Sequence, residues 1–479
     1  MNYRTQKILL TGNIDDEAEA YLLWCCYQSN SLYNSALFAV RQAHFEQCET
    51  RTFFDHDDQY RCALKIRYVK ASYGKLCKDF KNNKHYIGLG GQQAQQCLKS
   101  VVEGISSYNQ LLNKYWNKEI EPRPQIPNYR KKRGLYQVVF PAQAVNYDEY
   151  SGICKLAISR ELRPELVNKE LLIPGGYGIT GQDLAEVRIV PACGQLWAEY
   201  VYQAQSKTAN NLDYSQAIGL DPGVTNWLTV VSTKGKSFIL CGKQVKSINQ
   251  RYNKIVAKYK RGKSDFYWDD YLDQITHKRN CQLRDAVNKA ARFIINYCLE
   301  NRVGNIVFGW GQGVKDKSNL GKRNNQNFVQ IPTARLKNRI RELAETVGIV
   351  FTETEESYTS KSSFLDNDLL PKFGEKLGTG IRSSNPNKEA SSRRPTKYKF
   401  LGQRITRGTY KTASGYLISA DAHGAANILK KVAIQLKLSL AEVGRGILTV
   451  PKRYDLSSLT KSYRKRSEAV FLTPFATAV

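Results

Sequence analysis

Ala217-Ile218-Gly219-Leu220-Asp221-Pro222-Gly223-Val224-Thr225-Asn226-Trp227-Leu228-Thr229-Val230-Val231 decides how this chain is read. An apolar run enters a single carboxylate, the backbone turns at Pro-Gly, and a β-branched run returns. The pattern describes two antiparallel strands joined by a tight turn. Asp221 then ends a core strand, where the sheet holds the carboxylate while its oxygens face outward, the rigidity a hard divalent cation needs. By itself Asp-Pro-Gly is in most proteins only a turn, so its meaning depends on what surrounds it.

Downstream, Lys236 to Cys241 reads as a third strand, followed by a polar helical section over 246–300. Lys254, Lys258, Lys260, Arg261 and Lys263 cluster before a break in that section, and Arg284, Lys289 and Arg292 follow it. Ile306-Val307-Phe308 is a buried strand that runs into Gly309-Trp310-Gly311. A helix starts at Gln330-Ile331-Pro332-Thr333, keeps Leu336, Ile340, Leu343 and Val347 on one face, and stops at Gly348. The strand after it, Ile349 to Tyr358, carries Glu353, Glu355 and Glu356 in its second half. That is unusually acidic for a chain with a net charge of +29 over 479 residues. Such an excess of positive charge fits a polyanionic partner, because each phosphate neutralised releases counterions.

Upstream, residues 5–10 read as a short strand, and Asn13 or Asp15 caps a helix with Tyr21, Trp24, Cys25, Leu32 and Ala36 on one face. The stretch from Asp58 to Lys81 reads as a basic helix in which Lys65, Arg67, Lys70, Lys75, Lys78 and Lys81 alternate with Tyr68, Tyr73 and Phe80. A third helix, Gly91 to Trp116, carries Val101, Ile105, Tyr108 and Leu112. Pro122, Pro124 and Pro127 break the chain before the cluster Arg130-Lys131-Lys132-Arg133, and from Tyr136 to Gln203 short β runs alternate with turn residues. The 29 tyrosines, many beside Lys or Arg, suit base stacking next to phosphate contacts. The 11 cysteines include no C-x-x-C pair, a pattern of reduced thiols in a cytosol. No apolar run approaches a membrane span, so the expected setting is the cytoplasm.

Ile-Gly-Leu-Asp-Pro-Gly followed by a β-branched strand resembles the first motif of the RuvC-type, RNase H-like nuclease domain of OrfB/TnpB proteins. These are proteins of bacterial insertion sequences, to which the type V CRISPR effectors are related. Leu417-Ile418-Ser419-Ala420-Asp421-Ala422-His423-Gly424-Ala425-Ala426-Asn427-Ile428-Leu429 resembles the third motif, an Asp before a small-residue helix. The family's second motif ends its strand in a glutamate, and here Gly309 stands in that place. Either the nuclease is inactive or the second carboxylate comes from elsewhere. Glu356-Ser357-Tyr358-Thr359-Ser360-Lys361 is similar to Glu-x-Tyr-Thr-Ser-Lys of relatives with a relocated glutamate. Glu356 is therefore the expected replacement, with Glu355 as the fallback. The family's zinc ribbon needs two C-x-x-C pairs, but no cysteine follows Cys298, so no zinc site can be built there.

The resemblance implies an α+β multidomain protein: an RNase H-like α/β nuclease domain plus a small β-barrel, or wedge, interrupted by a helical recognition insert. The implied division is a first barrel strand at 1–12, a helical domain at 13–120, the barrel at 121–212 and the nuclease domain at 213–361. A cysteine-free segment at 362–416, the last nuclease part at 417–435 and a basic, flexible tail at 436–479 complete it. Asp221, Glu356 and Asp421 would hold two Mg²⁺ ions. Arg130, Lys131, Lys132, Arg133, Lys70, Lys78, Arg261, Lys361, Arg393 and Arg394 would contact nucleic acid. The implied partners are a guide RNA encoded at the same locus and double-stranded target DNA, bound by a monomer. The implied activity is RNA-guided cleavage of DNA. The reading from a different class is a catalytically inactive RNA-guided DNA binder.

Overall fold

The computed structural model describes residues 2–48, 50–54, 60–64, 68–204, 209, 211–311, 331–371 and 400–459. The chain divides into two units, Met1–Gln205 and Ser206–Val479.

In the first unit, β1 (Asn2–Leu9) pairs antiparallel with β9 (Gln195–Ala204), so the first strand meets its partner only after the helices between them have been laid down. With β4 (Val138–Pro141) and β8 (Leu184–Ala192) they form one sheet in the order β1-β9-β8-β4. A second sheet consists of β5 (Val145–Asp148), β6 (Ile153–Leu156) and β7 (Leu171–Pro174). The helices are α1 (Asp16–Glu46), α2 (Tyr73–Phe80), α3 (Lys84–Leu89) and α4 (Gly91–Trp116). Of the two candidate caps for α1, Asp15 acts: its Oδ1 accepts from the Ala18 N–H at 2.8 Å. The expected faces are buried, with Tyr21, Cys25, Leu32 and Ala36 on α1 and Val101, Ile105, Tyr108 and Leu112 on α4.

The expected helix over 58–81 is not found. Residues Thr50–Phe54 and Tyr60–Leu64 pair as an antiparallel hairpin, β2 and β3, and only the stretch after Ser72 is helical. The basic residues concealed a short β segment from a helical reading, and Ser72, accepting from the Lys75 N–H, marks the true start. Lys65 and Arg67 lie outside the described residues.

The second unit is built on a six-stranded mixed sheet in the order β14-β13-β10-β11-β12-β18. Its strands are β10 (Asp213–Pro222), β11 (Asn226–Ser232), β12 (Lys236–Cys241), β13 (Val303–Gly309), β14 (Val350–Thr354) and β18 (Lys452–Tyr454). The Asp-Pro-Gly turn joins β10 and β11 antiparallel, whereas β13 runs parallel to β10 and β14 parallel to β13. Helices α5 (Lys243–Tyr259) and α6 (Asp270–Glu300) precede β13, and α7 (Thr333–Val347) precedes β14. Gly348 ends α7 at φ +82°, a backbone setting that costs glycine little.

Strand alternation sorts the two faces. Ile218, Leu220, Ile306 and Phe308 pack with α6 and α7 residues such as Ala290, Ile294, Leu336 and Ile340. Ala217 and Val307 turn the other way and meet α8 (Ala420–Val432) through Ala425, Ala426, Ile428 and Leu429. By the same alternation Gly219, Asp221 and Gly309 face α8. A small sheet of β15 (Gln403–Arg404), β16 (Thr409–Lys411) and β17 (Leu417–Ser419) leads into that helix.

The expected flexible tail from 436 is a folded segment as far as 459. Val443 and Leu448, the latter in α9 (Arg445–Thr449), are buried on the α8 face; β18 then adds to the edge of β12, and Leu456 and Leu459 are buried on the opposite face. These alternately placed apolar side chains hold the segment across the sheet edge despite its charge. Residues 460–479 lie outside the described residues.

Candidate metal and nucleic-acid site

Asp221 emerges from the end of β10 beneath the first turns of α8. A Cβ placed on Gly424 would lie 2.6 Å from Asp221 Oδ2, so a glycine is what lets the helix come down over the carboxylate. Burial, and then the negative charges of Glu356 and Asp421, push the Asp221 carboxyl well above the ordinary carboxylate range; Arg404 acts in the opposite direction. Asp221 therefore feels both of the other acidic positions singled out in the sequence.

The acidic stretch after α7 is resolved residue by residue. Glu353 is paired with Lys337 at 2.7 Å and also with Arg341. Glu355 is paired with Lys431 of α8 and accepts from the Ser357 N–H at 2.9 Å. Burial would raise the Glu355 carboxyl, but these partners outweigh it and hold it below its usual value. Glu356 has turned elsewhere. A Cβ on Gly309 would stand 3.1 Å from both its Cγ and its Oε1. The glutamate side chain thus lies over Gly309, the glycine at which the resemblance leads one to expect a glutamate. Strand β14 ends at Thr354, so the two neighbouring glutamates diverge through the irregular backbone after it rather than by strand alternation.

Asp421 lies in the first turn of α8, but it does not cap the helix. Ser419 does so, its Oγ accepting from the Ala422 N–H at 3.4 Å, which leaves the Asp421 carboxylate for other work. Asn226 Nδ2 donates to Asp421 Oδ2 at 2.5 Å, and Arg404 Nη2 stands 3.5 Å from Oδ1. Asn226 and Arg404 were both missed in the sequence. Asn226 sits five residues past Asp221, beyond the turn, a spacing that could have flagged it; nothing local marks Arg404. The Arg404 hairpin is seated on α8 because Gly408 O accepts from the Ala420 N–H at 2.9 Å.

In the cysteine-free segment at 362–416, the described residues are tied together by carboxylates. Asp368 Oδ2 accepts from Ser363 N at 2.8 Å and Leu401 N at 3.0 Å. Asp366 Oδ2 accepts from Ser363 Oγ at 2.5 Å and Ala413 N at 2.8 Å. His423 is fully buried and stacked on Tyr410 with ring centroids 3.9 Å apart. Its Nε2 lies 3.2 Å from the Phe364 N–H, and burial pushes its pKa down to about 4. His423 is thus a neutral packing residue.

All-oxygen donors in mutual repulsion suit a hard divalent cation. The spacing is nonetheless open: among the described residues no group of three or more His, Cys, Asp or Glu side chains is drawn close enough to hold a metal ion. Asp421 is instead partly neutralised by Arg404.

The candidate nucleic-acid contacts fall into two kinds. Arg130 is a packing residue: its guanidinium lies 4.5 Å from the Tyr33 ring centre and 3.4 Å from that of Tyr136. Lys131, Lys132 and Arg133 beside it are exposed, as are Lys70, Lys78, Arg261 and Lys361. Arg393 and Arg394 lie outside the described residues. Replacing Lys131, Lys132 and Arg133 together with alanine is expected to weaken RNA or DNA binding uniformly across sequences. The slope of log K against log salt should fall by about 2–3, measured by fluorescence anisotropy. Among the described residues no helix is long and apolar enough to cross a membrane.

Known solved structures that resemble the chain do so only weakly. A Cas12f1–sgRNA–target DNA complex aligns with a TM-score of 0.30 at 12% identity, covering 89% of this chain and 99% of that one. A CRISPR–Cas12f ternary complex aligns at 0.31 and 15%, covering 86% and 81%. A Cas12i1 R-loop complex after target DNA cleavage aligns at 0.30 and 10%, covering 74% and 54%. No curated protein matches the chain. Residues 199–311 match the family of OrfB proteins of IS605, described as a probable transposase. The resemblance read from the Asp221 motif therefore holds over this segment, which carries β10 to β13 and the Asp-Pro-Gly turn and is similar to the OrfB proteins of IS605.

Proposed function

We propose that the chain is an RNA-guided DNA endonuclease of the OrfB/TnpB type, with an RNase H-like second unit and a wedge-like barrel interrupted by a helical insert in the first. The observation that carries this reading is the position of Glu356 over Gly309, on the sheet face that also presents Asp221 to α8. It supplies a carboxylate where the family's second motif has lost its own.

In this reading Asp221, Glu356 and Asp421 would hold two Mg²⁺ ions, which when bound would supply the charge that activates water and stabilises a leaving phosphodiester oxygen. The chain's residues do the rest. Gly424 lets α8 approach, so that the first and third carboxylates come from a strand end and a helix start rather than from mobile loops. Asn226 orients Asp421 by a donated hydrogen bond. Arg404 is a cation able to face a phosphate oxygen beside the carboxylates. The exposed basic residues hold the nucleic-acid backbone, and pairing with a guide RNA selects the target.

The inactive-binder reading draws on Gly309 and on the open spacing of the carboxylates. One experiment decides between the two. The protein is purified with the RNA transcribed from its own locus and assayed for Mg²⁺-dependent cleavage of a DNA library, beside Asp221→Ala. Cleavage lost in the variant supports the nuclease; guided binding without cleavage in the unaltered protein establishes the binder instead.

A further inference from the structure

Residues 452–454, in a stretch whose sequence reads as a flexible tail, reach the carboxylates through one intermediary. β18 runs parallel to β12, with Arg453 opposite Ile239. From there the Arg453 guanidinium places Nη1 at 3.2 Å and Nη2 at 3.0 Å from the same atom, Asn226 Oδ1. Asn226 Nδ2 in turn donates to Asp421 Oδ2 at 2.5 Å. Asn226 begins β11, where the register with β12 is irregular between Asn226 and Leu228, so its backbone is not fixed by a regular ladder.

The chemistry of a carboxamide gives this chain of contacts a direction. One end of the amide only accepts and the other only donates. With a guanidinium on one side and a carboxylate on the other, only one orientation satisfies both. Turning the amide over would set its NH₂ against the guanidinium and its oxygen against the carboxylate. Arg453 thereby decides which end of Asn226 meets Asp421. It does so from a neutral partner: two charged N–H groups on one amide oxygen are a poor arrangement for a surface ion pair but a good one for holding an amide in place.

We propose that Arg453 is a positioning residue for the metal site, acting through Asn226 to hold Oδ2 of Asp421. The proposal rests on the nuclease reading above. Outer partners that orient a metal ligand matter about 10–100-fold in metal affinity or activity.

The test uses the full chain with its RNA and reads both Mn²⁺ binding by electron paramagnetic resonance and the Mg²⁺ concentration that half-saturates cleavage. Arg453→Ala is expected to weaken metal binding about tenfold, with a smaller effect on the rate at saturating metal and little change in Tm. Asn226→Ala should do at least as much, and adding Arg453→Ala to it should do no more, because the arginine acts only through the amide. Arg453→Lys should restore part of the affinity by donating to the same oxygen. Lys452→Ala, on the same strand, should change neither readout. Effects of the two alanine variants that multiply, or a fall in Tm with unaltered Mn²⁺ affinity, would overturn the positioning role. A protein whose Mn²⁺ binding is insensitive to Asp221→Ala and Asp421→Ala would instead overturn the nuclease reading on which the proposal stands.

Discussion

Glu356→Gln is expected to lower guided, Mg²⁺-dependent DNA cleavage by about 100- to 1000-fold, the loss of several kcal/mol of charge stabilisation at a metal site. Binding to guide RNA and target should stay within a factor of about three, since the substitution leaves the exposed basic residues untouched. Glu355→Gln should cost far less cleavage, because that carboxylate is committed to Lys431 and the Ser357 N–H. The comparison is made by single-turnover cleavage at saturating protein. Equal losses in the two variants would show that the carboxylate over Gly309 has no special part. A transplant makes the test sharper. Gly309→Glu combined with Glu356→Ala should recover part of the activity only if Ile428 is also trimmed to valine, because Ile428 Cδ1 would lie 2.4 Å from the new Cβ.

Gly219→Ala should destabilise the second unit strongly. Its Cβ would meet the backbone oxygen of Ala425 at 2.5 Å and Leu429 Cγ at 2.7 Å. A leucine side chain can move aside, but a helix backbone on a buried sheet face cannot without carrying its neighbours. The expected cost is about 3 kcal/mol, and a fall in Tm of roughly 6–12 °C for a unit of this size. Calorimetry of the full chain measures it in the transition of the second unit. Cleavage should fall by more than the unfolded fraction explains, since a lifted α8 carries Asp421 away from Asp221. An unchanged Tm would mean that α8 does not bear directly on β10.

The parts of the fold that the sequence made legible are those whose signal is local. The β10–β11 hairpin announced itself by its Pro-Gly turn, α7 by its periodic apolar face and terminal glycine, and α8 by small residues after Ser419 and Asp421. The parts that stayed hidden depend on partners far away in the chain. β18 has three residues, two of them charged, and is a strand only because β12 offers it an edge. The β2–β3 hairpin was obscured by basic residues that suit an exposed helix face equally well. In the candidate site, the motifs pointed to Glu356 and Asp421, the two carboxylates whose charges act on Asp221. Asn226, Arg404 and Arg453 could not be named in advance, because each meets its partner across 17 to 227 residues of chain, a property of the assembled structure.

The strand contributed by Lys452–Tyr454 also bears on the order in which the protein is made. Asn226 and Arg453 are 227 residues apart. Synthesis proceeds from the N-terminus, so β12 waits with an unpaired edge while nearly all of the second unit is translated. A message truncated before that point would yield a chain that displays this edge to chaperones and proteases and lacks the last brace on its acidic cluster.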